Sequence, residues 1–145
     1  MPKEIEKLPV FVYGTLRRGF GNYYSFLKGT TEKEEPATMK GVMYSTGGFP
    51  AVIRGEGIVQ GELMYIDKKF YNYTLNRLDM LEGYNPHDEM TSMYFRREVS
   101  VVTKTGKQVK AWAYIWNELF IPVKELIKVN NGDWADFAKP FIVHK

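Results

Sequence analysis

Lys68-Lys69-Phe70-Tyr71-Asn72-Tyr73-Thr74-Leu75-Asn76-Arg77-Leu78-Asp79-Met80-Leu81-Glu82-Gly83 is the stretch on which the reading of the fold turns. At about 100° per residue, Tyr71, Leu75 and Leu78 fall on one apolar stripe, so residues 68–82 form an amphipathic helix. Gly83 follows as the left-handed residue that ends it. No other segment carries so strong a helical period. Around this helix the chain reads as short strands and glycine turns, so the fold class is α+β: a small curled mixed sheet or barrel with two main helices.

Working outward, Pro9 to Tyr13 is a β-branched and aromatic run that ends at Gly14, a strand feeding a turn. Asn22 caps a second, short helix through Tyr23, Tyr24, Phe26 and Leu27, which Gly29 closes. Ala37 to Tyr44 is a strand with a bulge at Gly41, and Gly47-Gly48 is a turn. Ala51 to Arg54 is read as a strand, Gly55 to Gly57 as a turn, and Ile58 to Ile66 as the next strand. Gln60, Glu62 and Met64 alternate only loosely with Val59, Leu63 and Tyr65. That pattern fits a barrel-like sheet with both faces partly covered. Tyr94 to Thr103 and Lys107 to Trp116 form a hairpin across Thr105-Gly106. Trp112 and Trp116 are read as exposed contact residues. With no repeat, linker or low-complexity stretch, residues 1–145 form a single domain.

Composition narrows the chemistry. There is no cysteine, so thiolate catalysis, cysteine-held zinc and a disulfide framework are excluded. Twenty Lys and Arg stand against seventeen Asp and Glu, for a net charge of +3, with the signs interspersed. A nucleic-acid binder gathers its positive charge on one face, so no nucleic-acid partner is expected. The opening MPKEIEKL is charged, and no run reaches the ~18 apolar residues of a membrane span. A cytoplasmic protein with no membrane partner is the expectation. Nine Phe, ten Tyr and three Trp supply core and pocket walls.

One residue breaks the helical pattern. Glu82 falls at the centre of the stripe made by Tyr71, Leu75 and Leu78. It also lies in the last turn, where the helix dipole disfavours a negative charge. Two readings stay open on periodicity alone. Glu82 frays into solvent or pairs with Arg96 or Arg97, or it faces a partly apolar cavity where desolvation raises its pKa and makes it a base.

A second feature is Val12-Tyr13-Gly14-Thr15-Leu16-Arg17-Arg18-Gly19, a turn between a strand and a helix. Backbone N–H groups exposed in such a turn bind anions. The lysine of a phosphate loop is missing, so a carboxylate is the better guest. A plain tight turn is the structural alternative.

These residues carry a resemblance. Tyr13-Gly14-Thr15-Leu16 resembles the Tyr-Gly-Thr/Ser-Leu signature of the gamma-glutamylcyclotransferase-like family, which includes gamma-glutamylamine cyclotransferases. Leu78-Asp79-Met80-Leu81-Glu82-Gly83 resembles that family's Leu-Asp-x-x-Glu-Gly segment, which carries its catalytic glutamate. Tyr94 to Val101 resembles its Tyr-x-Arg-x-x-Val-x-Val strand. Ala113-Tyr114-Ile115 and Gly132-Asp133-Trp134 are similar to its later strand and its closing Gly-Asp-Trp. The matches run in family order over most of the chain. Residues 85–92 are a departure, longer than in the most compact members.

The resemblance implies release of 5-oxoproline from a small gamma-glutamyl amine or gamma-glutamyl amino acid. Glu82 is the implied general acid and base. Tyr13, Gly14, Thr15 and Leu16 would hold the substrate carboxylate, and Tyr94 would line the pocket or orient Glu82. Arg96 is open between a structural and a substrate-facing role. His87 and His144 are expected to play no part. No metal and no organic cofactor are implied, and the expected assembly is a monomer or weak homodimer. The rival reading from another class is a non-catalytic module on the same fold that binds a small metabolite or single-stranded RNA.

Overall fold

The computed structural model describes residues 7–138. The strands are β1 (Val10–Val12), β2 (Thr31–Ser45), β3 (Pro50–Ile66), β4 (Tyr94–Thr103), β5 (Gln108–Trp116) and β6 (Ile127–Lys128). The α-helices are α1 (Tyr71–Leu81) and α2 (Trp134–Ala138). β2 and β3 form one long antiparallel hairpin, from Ser45 opposite Pro50 to Thr31 opposite Ile66. β3 pairs antiparallel with β1, which runs parallel to β5. β5 pairs antiparallel with β4, and β4 pairs antiparallel with β2, so five strands close on themselves. β6 adds to the free edge of β2. The expected curled mixed barrel is therefore present.

The sequence reading of two strands separated by a turn at Gly55–Gly57 is corrected: β3 is continuous. Its register with β2 slips from Val42 opposite Ile53 to Lys40 opposite Ile58. Residues 54–57 bulge out around Gly41, which is the bulge expected there, and the hairpin bends enough to curl into the barrel.

β1, β5 and the two ends of β3 bury both faces, whereas β2 and β4 bury one. Phe11, Met39, Leu63, Val101 and Ala113 fill the barrel interior with Trp134 of α2. Val10, Val12, Met64, Tyr114 and Trp116 point outward and are covered by Tyr71, Leu75 and Leu78 of α1. Neighbouring Leu63 and Met64 are both fully buried, one on each side, which explains the loose alternation along β3. A single 3-10 turn, Lys68–Phe70, leads into α1, with the Asp67 carboxylate accepting the Lys69 N–H as its cap.

Two local expectations are revised. Tyr23–Leu27 is helical as read, but its turn is π-helical, and Asn22 makes no side-chain cap. Trp112 and Trp116 do not form an exposed patch. Trp116 is buried and donates Nε1–H to the Ile121 carbonyl at 2.9 Å. Trp112 is half-buried beneath the Arg96 guanidinium, 4.6 Å from its ring centre.

Candidate functional site

Glu82 ends α1. Its N–H still reaches the Leu78 carbonyl at 2.9 Å, and the chain then reverses through Gly83 at φ +66°. Gly83 N–H donates to the Met80 carbonyl and Tyr84 N–H to the Asp79 carbonyl, the paired bonds of a Schellman ending. The Gly83 carbonyl accepts from Met93 N–H at 3.0 Å, which fastens the helix end to the segment entering β4. A side chain at 83 would be strained by that φ and would press on Met93 Cβ. Gly83 thus sets where Glu82 points.

The pairing with Arg96 or Arg97 that one of the two readings gave Glu82 does not form. Arg96 pairs instead with Asp79 at 3.0 Å, and Arg97 grips Glu89 with contacts of 2.8 and 2.9 Å. Glu82 has no ion-pair or hydrogen-bond partner for its carboxylate among the described residues. It is half-buried, reached by water from a cavity and crowded by protein elsewhere. Desolvation pushes its pKa from the ordinary 4.5 up to about 7.

The Tyr13–Leu16 turn faces the same cavity. The Arg17 N–H closes it onto the Gly14 carbonyl at 3.0 Å. The N–H groups of Gly14, Thr15 and Leu16 donate to no protein acceptor among the described residues. Two arginines brace the turn from behind. Arg17 Nη1 bonds Asp133 at 3.0 Å, the aspartate of Gly132-Asp133-Trp134, and the Arg18 N–H donates to Glu62 of β3 at 2.8 Å. Gly14 is a glycine for a reason the local pattern does not contain. A Cβ there would lie 2.7 Å from Pro50 Cγ, so the turn can approach the β2–β3 hairpin tip only without a side chain.

The cavity holds about 310 Å³, room for a small metabolite. Tyr13, Gly14, Thr15, Leu16, Glu82 and Tyr94, the six site residues expected from sequence, all line it. Tyr94 does not bond Glu82; its hydroxyl donates to the Pro50 carbonyl at 2.6 Å and clamps the hairpin tip over the cavity. Tyr13 hydroxyl donates to the Tyr114 carbonyl. Burial holds the phenols of Tyr13 and Tyr94 well above the usual tyrosine range, with the Glu82 charge adding to it in both, so both are neutral donors.

Several lining residues escaped the sequence reading. Phe49 and Pro50 lie on the hairpin tip, far from the turn in sequence. Tyr114 came only as part of a strand motif. Asn22, taken for a cap, donates its side-chain amide to the Thr15 hydroxyl at 2.8 Å. Glu82 is the one ionisable acid or base besides tyrosine along the wall.

Arg96 does not line the cavity. With the Tyr114 hydroxyl at 2.7 Å it holds the buried Asp79, one turn before Glu82. Residues 85–92 form a built loop. Asn85 N–H bonds the Ser92 hydroxyl, and Glu89 takes both Tyr84 and Arg97. His87 is exposed on that loop, Lys40 is exposed on β2, and neither lines the cavity. His144 lies outside the described residues.

The family model described as gamma-glutamyl cyclotransferase, AIG2-like, matches residues 10–136. The chain belongs to that family. A Methanocaldococcus jannaschii protein that carries a provisional gamma-glutamylcyclotransferase name is 34% identical over 130 residues, 88% of this chain and 96% of the other. The Escherichia coli family protein YtfP is 31% identical over 130 residues, covering 90% and 98%. The gamma-L-glutamyl-butirosin B gamma-glutamyl cyclotransferase of Niallia circulans is 28% identical over 129 residues, covering 88% and 76%. Among solved structures, a Pyrococcus horikoshii protein of uncharacterised role superposes with a TM-score of 0.59 at 25% identity. It covers 92% of this chain and 95% of its own. A mouse AIG2-like protein gives 0.55 at 25%, covering 74% and 76%. These relatives place the barrel in the same fold group. Among the described residues no helix is long and apolar enough to cross a membrane.

Proposed function

We propose that this chain closes the gamma-glutamyl part of a small substrate into 5-oxoproline and releases the amine attached to it. One observation carries the proposal: a carboxylate with a pKa near 7, partnerless among the described residues, shares a cavity wall with the Gly14–Leu16 turn, whose backbone N–H groups meet no acceptor among those residues.

The reaction needs no enzyme nucleophile. The substrate's α-amine attacks its own γ-carbonyl carbon, forming the C–N bond of a five-membered lactam. The γ-carbonyl oxygen takes up negative charge in a tetrahedral intermediate, which collapses as the original C–N bond breaks. Glu82 has two tasks in that sequence. It takes the proton that the α-amine loses on attack and gives it to the departing amine. A carboxyl group near neutrality does both at physiological pH, and such transfer contributes typically ~10²–10⁴-fold.

The remaining acceleration comes from geometry. The Gly14–Leu16 amides anchor the substrate α-carboxylate, with one to spare for the developing oxyanion. With that end fixed and the chain curled by Tyr13 and Tyr94, amine and γ-carbonyl meet as near-attack partners. Charge balance agrees. The wall has no lysine or arginine to bind the carboxylate, so the task falls to the backbone.

The test is incubation with a panel of gamma-glutamyl amines and gamma-glutamyl amino acids, with 5-oxoproline measured. The wild-type chain should form it, and Glu82→Gln should keep the fold and lose ~10²-fold or more. A variant that turns over at the wild-type rate removes Glu82 from the mechanism. No product from any member of the panel removes the activity.

A further inference from the structure

The proposed reaction leaves the departing amine unidentified, and the cavity wall bears on it. Beside Glu82, and packed against the turn where Pro50 meets Gly14, the wall is built from Gly48, Phe49, Pro50, Leu81, Met93 and Tyr94. Phe49 is 38% exposed, and its ring lies 6.4 Å from those of both Tyr94 and Trp116. Trp116 stands edge-on to Phe120 at 5.6 Å, and Phe120 is 49% exposed. An aromatic shelf therefore links Phe49 and Tyr94, on the cavity wall, to Trp116 and Phe120, which lie outside that wall. No cation lies along the cavity wall, and the one acid there is Glu82.

Phe49 is held in place rather than left loose. The Thr46 N–H and hydroxyl both donate to its carbonyl, at 3.0 and 2.8 Å. The Tyr94 hydroxyl clamps the next carbonyl, that of Pro50. A fixed, half-exposed aromatic ring at the mouth of a site is a preformed apolar contact waiting for a guest.

We propose that the leaving group is an uncharged, apolar amine, one with a hydrocarbon or aromatic body and no carboxylate of its own, seated against Phe49. The inference rests on the cyclotransferase reading of the site. Its physical basis is a contrast. The turn meets one carboxylate, that of the glutamyl end. A gamma-glutamyl amino acid brings a second, which would meet no cation along a largely apolar wall and would lie beside the Glu82 carboxylate. An amine that lacks the carboxylate avoids that penalty and gains contact with the shelf.

The experiment compares gamma-glutamylbenzylamide, gamma-glutamylmethylamide and gamma-glutamylphenylalanine, by 5-oxoproline formation and by calorimetric binding. The substitution Phe49→Ala is made alongside. Benzylamide should exceed phenylalanine in kcat/KM by ~10-fold or more, since phenylalanine adds a carboxylate and one methylene, and the methylene alone would favour phenylalanine on an apolar wall. It should also bind more tightly. In Phe49→Ala the ratio of benzylamide to methylamide should fall by ~10-fold, a change that general misfolding would not produce because it lowers both together. Equal or better use of gamma-glutamylphenylalanine overturns the proposal, as does an unchanged ratio in Phe49→Ala. The two readings fail separately. If nothing yields 5-oxoproline yet benzylamide still binds more tightly than phenylalanine, the chemistry is wrong and the apolar subsite stands. If neither product nor selective binding is found, both fall.

Discussion

Replacing Glu82 by glutamine should stabilise the protein, and by an amount that depends on pH. In the unfolded chain the carboxyl has its ordinary pKa of 4.5; in the fold, desolvation raises it to about 7. The folded state therefore holds the proton more tightly, and wild-type stability falls as pH rises through that interval, then levels off above it. At about 1.36 kcal/mol per pH unit the gap corresponds to about 3 kcal/mol. Water entering from the cavity screens part of the charge, which brings the expected cost to about 2 kcal/mol. Glutamine keeps the shape and cannot ionise. The two proteins should be equally stable near pH 4, and the variant should be ahead by about 2 kcal/mol near pH 8, about 4–8 °C in Tm. Urea melts of both proteins across this range measure it. Other shifted carboxyls, such as those of Glu35 and Glu89, are common to both chains and cancel in the difference. A stability difference that stays constant from pH 4 to pH 8 would refute the reasoning, because Glu82 would then titrate like a solvated carboxylate.

Three further outcomes follow from named contacts. Gly83→Ala puts a side chain at φ +66° and should cost about 1–3 kcal/mol in denaturant melts, with a larger loss of turnover because Glu82 moves with the helix end. Gly14→Ala should push Pro50 away from the turn; the expected result is a folded protein with raised KM for any gamma-glutamyl substrate, checked by steady-state kinetics. Arg96→Gln removes the cation from the buried Asp79 and should destabilise by about 1–3 kcal/mol, while the folded fraction keeps turning substrate over, which separates a structural arginine from a substrate-facing one.

Local chemistry made much of this legible. The stripe of Tyr71, Leu75 and Leu78 located α1, and Gly83 located its end, because both depend on residues within one or two turns. The hairpin of β4 and β5 was readable for the same reason, with Gly106 at φ +89° at its turn. Glu82 was visible as a misfit, but its missing partners were not. Only the fold shows Asp79 and Glu89 taking the arginines that Glu82 could have used.

The parts that were hidden depend on long-range packing. Gly55 to Gly57 has the composition of a turn, yet β2 runs past it and absorbs those residues as a bulge. Gly14 was read as a turn residue, whereas its close neighbour is Pro50, brought in by barrel closure. Asn22 had a capping residue's identity and position, but Thr15 across the loop offers its side chain a better partner. Trp116 alternates onto the outer face of β5, where α1 and the segment at Ile121 bury it. No local pattern announces which outward face another element will cover.

The central claim is that Glu82 works as the proton carrier with a pKa lifted by its cavity. The pH dependence of kcat/KM for 5-oxoproline formation tests it most directly. The account predicts an acidic limb centred near pH 7, following the Glu82 carboxyl, and rates at least ~10²-fold lower in Glu82→Gln. An acidic limb near pH 4.5, or a glutamine variant as fast as wild type, would contradict it.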